Sequence, residues 1–327
     1  MMAIDTDTAL GGIFTLTSLH MGAGQAAGAV DLPVAREQHT GLPIIPATAL
    51  KGIWRDIFEI AAVRAQVDRD LVEKLFGPSM DNKPGEEVAG AAGGLIFTEG
   101  QSLALPFRST AGPVLYCTCR LVLERLDRTS RAFGCEFLPA VGRNLENLRG
   151  DMVYMANREL DNTMLLVEDL LFQQNEVTFD DSAVQIGKEL ATLLPEAETF
   201  SRNRLAENIV ILPDKEFLHL AGQGMPIQAR IKLTSGKTAS KFQGEEGNLW
   251  YEEHVPPDSL FVYFVKSRPG SRNKPAAGFT SAVAEFGDDV RSIQIGGNET
   301  VGYGWCWSTL LQSSKTYHSD IQVSVQR

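Results

Sequence analysis

The chain has 327 residues, of which 43% are hydrophobic and 22% are charged, a balance typical of a globular protein. This length favours one elaborated domain, or a core domain with insertions. The formal net charge of −11 counts against a general nucleic-acid binder, because phosphate neutralisation requires basic side chains, although a global charge does not describe one local face.

The N-terminal sequence and the apolar pattern favour an intracellular, cytoplasmic protein without a membrane partner, and this setting makes disulfides unlikely. No apolar run approaches the roughly 18 residues of a membrane span, and Asp5 and Asp7 stand where a secretory signal would be basic and then apolar. Cys117 and Cys119 alternate within an apparent strand and share one face. Buried free thiols are favoured over a structural zinc site, which needs a second ligand pair.

The first quarter of the chain predicts a strand, a loop and a helix. Residues 9–18 are β-branched and bounded by glycines, as strands are, and residues 20–28 are glycine-rich, as flexible loops are. Thr48 is a suitable N-cap for a helix with Lys51 and Arg55 on one basic face. Its apolar residues recur at helical spacing: Leu50, Ile53, Trp54, Ile57, Ile60.

The rest of the chain interleaves short strands with a few helices. Strands are predicted over residues 94–98, 103–108, 115–118, 227–233, 237–242, 260–266, 292–295 and 305–311. Helices are predicted over residues 69–76, 183–194 and 214–220, and residues 119–126 extend a strand or begin a helix. A mobile loop is expected over residues 79–94. This order favours an α+β fold with a ferredoxin-like β-α-β-β-α-β core and long insertions.

Two segments suit contact with a nucleic acid. Residues 41–52 lead into a helix N-terminus with Lys51 in its first turn, which suits a phosphate, and a capped surface helix is the alternative. Residues 295–307 combine glycines, which let backbone approach a ligand, with Tyr303 and Trp305, which suit base stacking. The alternative there is a glycine-rich turn between strands with core aromatics.

A third segment suits phosphate chemistry. His20 and Asp31 bracket a loop that can present an imidazole and a carboxylate to a scissile phosphate. A solvated loop carboxylate is the alternative.

Taken together, these segments resemble the RAMP superfamily of CRISPR proteins, and most closely the repeated backbone subunit of type III-B (Cmr) effector complexes. The resemblance rests on TLTSLHMGAG, GAVDLPVAREQHTGLPIIPATALKGIWR and IQIGGNETVGYGW, and it continues in order through LFGP, GGLIFTEGQSLALPFRSTAGPVLYCTCRLVLERL, LPDKEFLHL and GNLWYEEHVPPDSLF. It therefore covers nearly the whole chain.

The resemblance implies a fold and a set of partners. Residues 1–327 would form a single domain, a ferredoxin-like (RRM-like) palm with insertions at about residues 79–94 and 144–212 and a β-hairpin thumb at about residues 227–250. The implied partners are guide CRISPR RNA, target RNA, further copies in a head-to-tail filament and the other type III-B subunits. Such a complex reads sequence by base pairing, while the protein holds shape and backbone.

The resemblance also implies endoribonuclease activity inside the assembled complex. The target RNA would be cut at regular intervals by attack of a ribose 2′-OH, with a transiently bound divalent metal, Mg²⁺ or Mn²⁺. Asp31 matches the acidic residue of the family's G-x-V-D-x-P segment, as a general base or as a metal ligand, and both roles stay open. His20 and Glu252 are the other expected catalytic residues.

The same resemblance suggests which residues contact RNA. The expected contacts are Lys51, Arg55, Arg36, Gly296, Gly297, Asn298, Gly302, Tyr303 and Gly304. Further basic candidates are Arg268, Arg272 and Lys274. His254 departs from the family, which offers an acid and a tyrosine near this position, and Tyr251 is a possible substitute.

Other functions stay open at this point. A structural guide-RNA-binding subunit that does not cut would have the same fold and the same departure at His254. A guide-processing endoribonuclease and the type III-A backbone sibling are further alternatives. A metabolic enzyme would need a cofactor motif, and residues 295–307 do not form the G-x-G-x-x-G turn between a strand and a helix.

Overall fold

A computed structural model describes residues 7–24, 30–78, 92–232, 249–271, 274–312 and 315–316. Its strands are β1 (Thr8–Thr15), β2 (Ile44–Ile45), β3 (Leu95–Phe97), β4 (Gly100–Ser109), β5 (Gly112–Cys119), β6 (Cys135–Glu136), β7 (Val153–Met155), β8 (Leu165–Val167), β9 (Leu170–Phe172), β10 (Val177–Phe179), β11 (Ile209–Leu212), β12 (Ile227–Ile231), β13 (Leu249–Glu253), β14 (Leu260–Ser267), β15 (Ser292–Gln294), β16 (Trp305–Gln312) and β17 (Lys315–Thr316). Its α-helices are α1 (Ala47–Val63), α2 (Arg69–Phe76), α3 (Arg120–Ala132), α4 (Pro139–Asn144), α5 (Asp181–Leu190), α6 (Thr199–Glu207), α7 (Asp214–Gln223) and α8 (Pro275–Phe286).

One large mixed sheet organises the fold. Its strand order is β10-β7-β11-β5-β4-β14-β1-β16-β15, with β3 also paired to β14 and β2 to β4. Strand β1 lies between β14 and β16 and is antiparallel to both. All eight residues of β1 are buried. Gly11 is required there, because a Cβ at this position would lie 2.1 Å from the ring of Tyr263 on β14.

Helices α1 and α8 share an aromatic core. Trp54 and Phe58 of α1 meet the ring of Phe279 of α8 at centroid distances of 5.1 and 5.5 Å. The indole N–H of Trp54 donates to the Tyr263 hydroxyl at 2.8 Å, which ties α1 to the sheet. Burial of these large rings contributes to the hydrophobic driving force where α1 and α8 pack together.

The described structure confirms most of the predicted elements and corrects several. Cys119 ends β5 and Arg120 begins α3, so the rest of the segment 119–126 is helical, while α4, α6 and α8 were not predicted. Helix α1 begins at Ala47 after Pro46, so Thr48 is not its N-cap. Its buried face is Leu50, Trp54, Phe58 and Ala61, and Ile60 is 53% exposed, because the apolar stripe drifts around the helix.

The hairpin is the other feature that differs from expectation. Strand β12 pairs antiparallel with β13, in the register Ile227 to Glu253. The predicted strand over residues 237–242 lies outside the described residues, as do residues 79–91 of the expected mobile loop. Among the helices that are described, none combines the length and hydropathy needed to cross a membrane.

Candidate active site

Strand β13 anchors two of the three candidate catalytic residues, Asp31 and His20. Asp31 is exposed, and its Oδ2 accepts a hydrogen bond from the backbone N–H of Tyr251 at 2.8 Å. His20 is buried, and its Nδ1 lies 2.8 Å from the backbone oxygen of Glu253. A carbonyl oxygen only accepts, so Nδ1 is the protonated ring nitrogen in this contact.

The segment around Asp31 runs along β13 as an added parallel partner. The N–H of Leu32 donates to the oxygen of Tyr251 at 3.1 Å, and the N–H of Glu253 donates to the oxygen of Leu32 at 3.0 Å. These two backbone bonds hold the residue next to Asp31. The carboxylate of Asp31 is therefore fixed by the strand even though it faces solvent.

Arg36 holds the same segment from inside the protein. Its guanidinium donates to the backbone oxygens of Gly41 and Ala221 and to the carboxylate of Glu253. That carboxylate also accepts the N–H of Val34 at 3.0 Å. Arg36 therefore anchors this loop, and its contact with RNA stays a prediction.

Glu252 is enclosed in a polar cluster on the face of β13 opposite to the Glu253 side chain. The indole N–H of Trp250 donates to its Oε1 at 2.8 Å. Its Oε2 accepts from Arg230 Nε at 3.1 Å and from Asn298 Nδ2 at 3.0 Å. Burial alone would raise the pKa of Glu252, but the Trp250 and Asn298 hydrogen bonds and the charge of Arg230 lower it overall. Glu252 is therefore ionised and internally satisfied.

His254 packs between the segment that carries His20 and the glycine-rich loop (residues 295–304). Its ring centroid lies 5.5 Å from that of His20 and 5.0 Å from that of Tyr303. Its Nε2 lies 3.7 Å from Glu252 Oε2, too far for a hydrogen bond. Burial, followed by the neighbouring His20, lowers the pKa of His254, so the ring is neutral near pH 7.

The glycine-rich loop contacts protein backbone rather than forming an open cradle. The N–H of Gly297 donates to the oxygen of His20 at 2.9 Å, and the N–H of Gly304 donates to the oxygen of Ser18 at 2.9 Å. Gly296 has a positive φ of 89°, and a Cβ there would lie 2.5 Å from the oxygen of His20. These glycines therefore let two loops approach each other.

Tyr303 joins the glycine-rich loop to the hairpin. Its hydroxyl donates to Gln228 Oε1 at 2.6 Å, and the guanidinium of Arg230 lies 4.8 Å from its ring centroid. Both residues belong to β12. The ring expected to stack on bases thus lies against Arg230 and His254, while Trp305 is 41% exposed.

Lys51 and Arg55 lie on α1, away from these contacts. Arg55 donates to Glu59 at 2.7 Å. Partial burial and the charge of Arg55 lower the pKa of Lys51.

Gly302 has a positive φ of 85° in the glycine-rich loop, and its N–H donates to the oxygen of Glu299.

The fold thus joins most of the predicted site residues into one network of contacts. That network contains His20, Asp31, Arg36, Glu252, Gly296, Gly297, Asn298, Tyr303 and Gly304. Sequence reasoning missed Arg230, Gln228 and Trp250. Gln228 and Arg230 are two positions apart on β12 and so share one face, as Trp250 and Glu252 do on β13. Only the register of the two strands shows that Gln228 lies opposite Glu252 and Arg230 opposite Trp250.

The comparison with protein families decides the wider identity. The RAMP superfamily description matches residues 13–307. The chain belongs to the RAMP superfamily. This confirms the resemblance drawn from the sequence motifs.

Two RAMP relatives match almost end to end. The CRISPR system Cmr endoribonuclease Cmr4 of Pyrococcus furiosus is 31% identical over 307 residues, 91% of this chain and 94% of that protein. The CRISPR system CMR subunit Cmr4 of Saccharolobus solfataricus is 26% identical over 315 residues, 89% of this chain and 92% of that protein.

Solved RAMP structures share the fold. Oligomeric Cmr4 from Pyrococcus furiosus superposes with a TM-score of 0.66 at 24% identity, covering 94% of this chain and 99% of that one. A type III-B Cmr-beta subunit, in a complex bound to cognate target RNA, gives 0.68 at 19% identity, covering 93% and 96%. At these identities the likeness shows a mixed α/β fold with a large mixed sheet.

Proposed function

We propose that this chain is the repeated backbone subunit of a type III-B RNA-guided complex and that it cuts target RNA. It would bind guide CRISPR RNA, copies of itself and the other subunits of the complex. A relative named as an endoribonuclease, similar over nine-tenths of the chain, supports this. The observation that carries the proposal is the shared attachment of Asp31 and His20 to β13.

The chemistry we propose is attack of a ribose 2′-OH on the adjacent phosphate. Asp31 is an exposed carboxylate, so it can take the 2′-OH proton while the 2′-oxygen bonds to phosphorus. The bond from phosphorus to the 5′-oxygen breaks, and the leaving 5′-oxygen takes a proton from water. This gives a cyclic phosphate on one product and a 5′-hydroxyl on the other. His20 contributes a ring of fixed tautomer, with its Nε2 toward Gly22.

The residues of the site suit a metal that is shared with RNA. Among the described residues, no group of three or more His, Cys, Asp or Glu side chains could hold a metal ion. Mg²⁺ is commonly bound by one or two carboxylates together with phosphates and water, and Asp31 can supply one such oxygen. A divalent cation bound there would polarise a phosphoryl oxygen as a Lewis acid. Asp31 as base and Asp31 as metal ligand are both compatible with the geometry.

We propose further that the centre of the sheet is a ferredoxin-like palm. Strand β1, helix α1, strands β4 and β14, helix α8 and strand β16 follow a β-α-β-β-α-β order, and the sheet order β4-β14-β1-β16 is antiparallel throughout. The β12–β13 hairpin would be the thumb, with residues 144–212 an insertion of the same domain. The continuous hydrophobic core supports a single domain.

We place the guide-binding ribbon on α1 and its neighbourhood. Lys51 and Arg55 supply basic charge there. Guide binding needs only a local basic surface, so it is compatible with the overall net charge of −11. The four cysteines, all buried free thiols, fit the reducing cytoplasm that we propose for the complex.

Labelled target RNA tests the proposal directly. The reconstituted complex, with guide RNA and Mg²⁺ or Mn²⁺, should yield a ladder of evenly spaced products. Tight target binding without any ladder would favour the non-cutting subunit. His254, which departs from the family pattern, is the feature that favours that alternative. Cutting of repeat RNA by the isolated chain would instead indicate guide processing.

A further inference from the structure

His254 is enclosed without hydrogen bonds from its ring. The residue is 2% exposed, and neither Nδ1 nor Nε2 has a partner. Five buried side-chain nitrogen and oxygen atoms lack a partner in the described part of the chain, and three belong to this cluster: the two ring nitrogens and Arg230 Nη2. Buried polar groups are rarely left unsatisfied, so this concentration calls for an explanation.

Charge does not explain the arrangement. The groups that face the ring are His20 from the segment after β1, Arg230 from β12, and Glu252 and Glu253 from the adjoining strand β13. Tyr303 covers it from the glycine-rich loop. Glu252 already compensates Arg230 through a direct contact, so the cluster has no net positive charge that would attract an anion.

Shape does explain it. His254 presents an aromatic ring that fills the space between the rings of His20 and Tyr303. His20 is held at its other side by Glu253, the residue immediately before His254. One strand therefore supplies both the hydrogen-bond acceptor and the wall that fix the His20 ring.

We propose that His254 is a positioning residue that acts through His20, because it holds the His20 ring against the backbone oxygen of Glu253. The inference rests on the proposed function, because His20 matters only if the chain cuts RNA. The contribution of His254 is its planar ring and not its nitrogens. A phenyl ring should therefore replace it, whereas a small or non-planar side chain should not.

Single-turnover cutting by the assembled complex is the first test. His254→Ala should lower the rate at saturating target by on the order of 10²-fold, the usual effect of a misplaced catalytic group, without weakening target binding. His254→Phe should restore most of the rate. His219→Ala is the matched control, since His219 lies on α7 and half of its side chain is exposed.

A double substitution tests whether His254 acts through His20. In a His20→Gln background, adding His254→Ala should not lower the residual rate further. An equal loss in both backgrounds would show an independent role and overturn the inference. So would a His254→Phe variant as slow as His254→Ala.

Histidine ¹⁵N spectra of the isolated full chain supply a readout that needs no activity. His20 should be a single Nδ1–H tautomer in the wild type and in His254→Phe, and a mixture in His254→Ala. If His254→Ala does not fold, His254→Leu removes the planar ring with a smaller change in volume. An unchanged His20 signal in the folded variant would refute the inference. A wild type that never cuts would instead refute the proposed function, and the spectra would still decide this point.

Discussion

Gly296 lies against His20 so closely that a Cβ on Gly296 would be 2.5 Å from the His20 backbone oxygen. The adjacent Gly297 donates its N–H to that same oxygen. The glycine-rich loop therefore sets the position of the segment that carries His20 through backbone contact.

This contact predicts different outcomes for two glycines of similar conformation. Gly296 and Gly302 have φ of 89° and 85°, but nothing lies within 4 Å of a Cβ at Gly302. Gly302→Ala should cost only backbone strain, about 1–2 kcal/mol. Gly296→Ala should cost more and should also slow cutting. Urea unfolding and single-turnover cutting would measure both effects, and equal behaviour of the two variants would contradict the proposed contact.

The Glu252–Arg230 pair predicts a large effect on stability. Removing one partner of a buried ion pair leaves the other uncompensated and costs about 3–5 kcal/mol. Because Arg230 reaches solvent in part, Glu252→Met should lie near the lower end. Glu59→Met is the control, since Glu59 pairs with Arg55 at the surface and should lose at most about 1 kcal/mol. Comparable losses from the two variants, measured by urea unfolding, would show that burial does not matter here.

His254 predicts how stability depends on pH. Burial, followed by His20, lowers its pKa below the ordinary 6.5, so the unfolded chain binds this proton more readily than the folded chain. The stability present above pH 6.5 should thus be lost as the pH falls toward the folded pKa, with a slope of at most about 1.4 kcal/mol per pH unit.

His254→Phe removes this proton and should flatten that part of the curve. The lowered pKa of Glu252 acts only below its ordinary 4.5, so urea midpoints at about pH 7 and pH 5.5 isolate the histidine. Parallel curves for the variant and the wild type would mean that His254 is not buried as described.

Lys51 predicts a purely electrostatic contribution to guide binding. Lys51→Ala should weaken binding of guide RNA for any sequence and reduce the slope of log affinity against log salt by roughly one. Lys74→Ala is the control, since Lys74 is exposed on α2 and paired with Asp70. Filter binding over a salt series would measure this, and identical slopes for the two variants would remove Lys51 from the RNA-binding surface.

Local sequence patterns predicted much of the fold. The strand β14 and the helix α2 follow directly from an apolar run and from a Gly-Pro stop. Helix α8 was not predicted, although Pro275 at its start and buried Ala276, Phe279 and Phe286 are visible signals. The start of α1 was misplaced because Pro46, with its fixed φ, stands at the N-cap position, immediately before Ala47, and no side chain caps the helix.

The site was predictable in its members but not in its contacts. The resemblance grouped His20, Asp31 and Glu252 in one site, and the structure brings all three to strand β13. Nothing local in the sequence shows that Glu252 contacts Arg230, 22 positions away. Such contacts depend on strand register, which is set by the whole sheet. The same reason explains why the internal partners of Arg36 could not be predicted from the sequence.

The most direct test of the central claim compares Asp31→Asn with the wild type in the reconstituted complex. The asparagine side chain can still accept the N–H of Tyr251, so the loop should keep its place while the carboxylate charge is lost. Labelled target RNA should remain bound with unchanged affinity, and the ladder of evenly spaced products should disappear. A ladder formed by Asp31→Asn at the wild-type rate would contradict the assignment of Asp31 as the residue on which cutting depends.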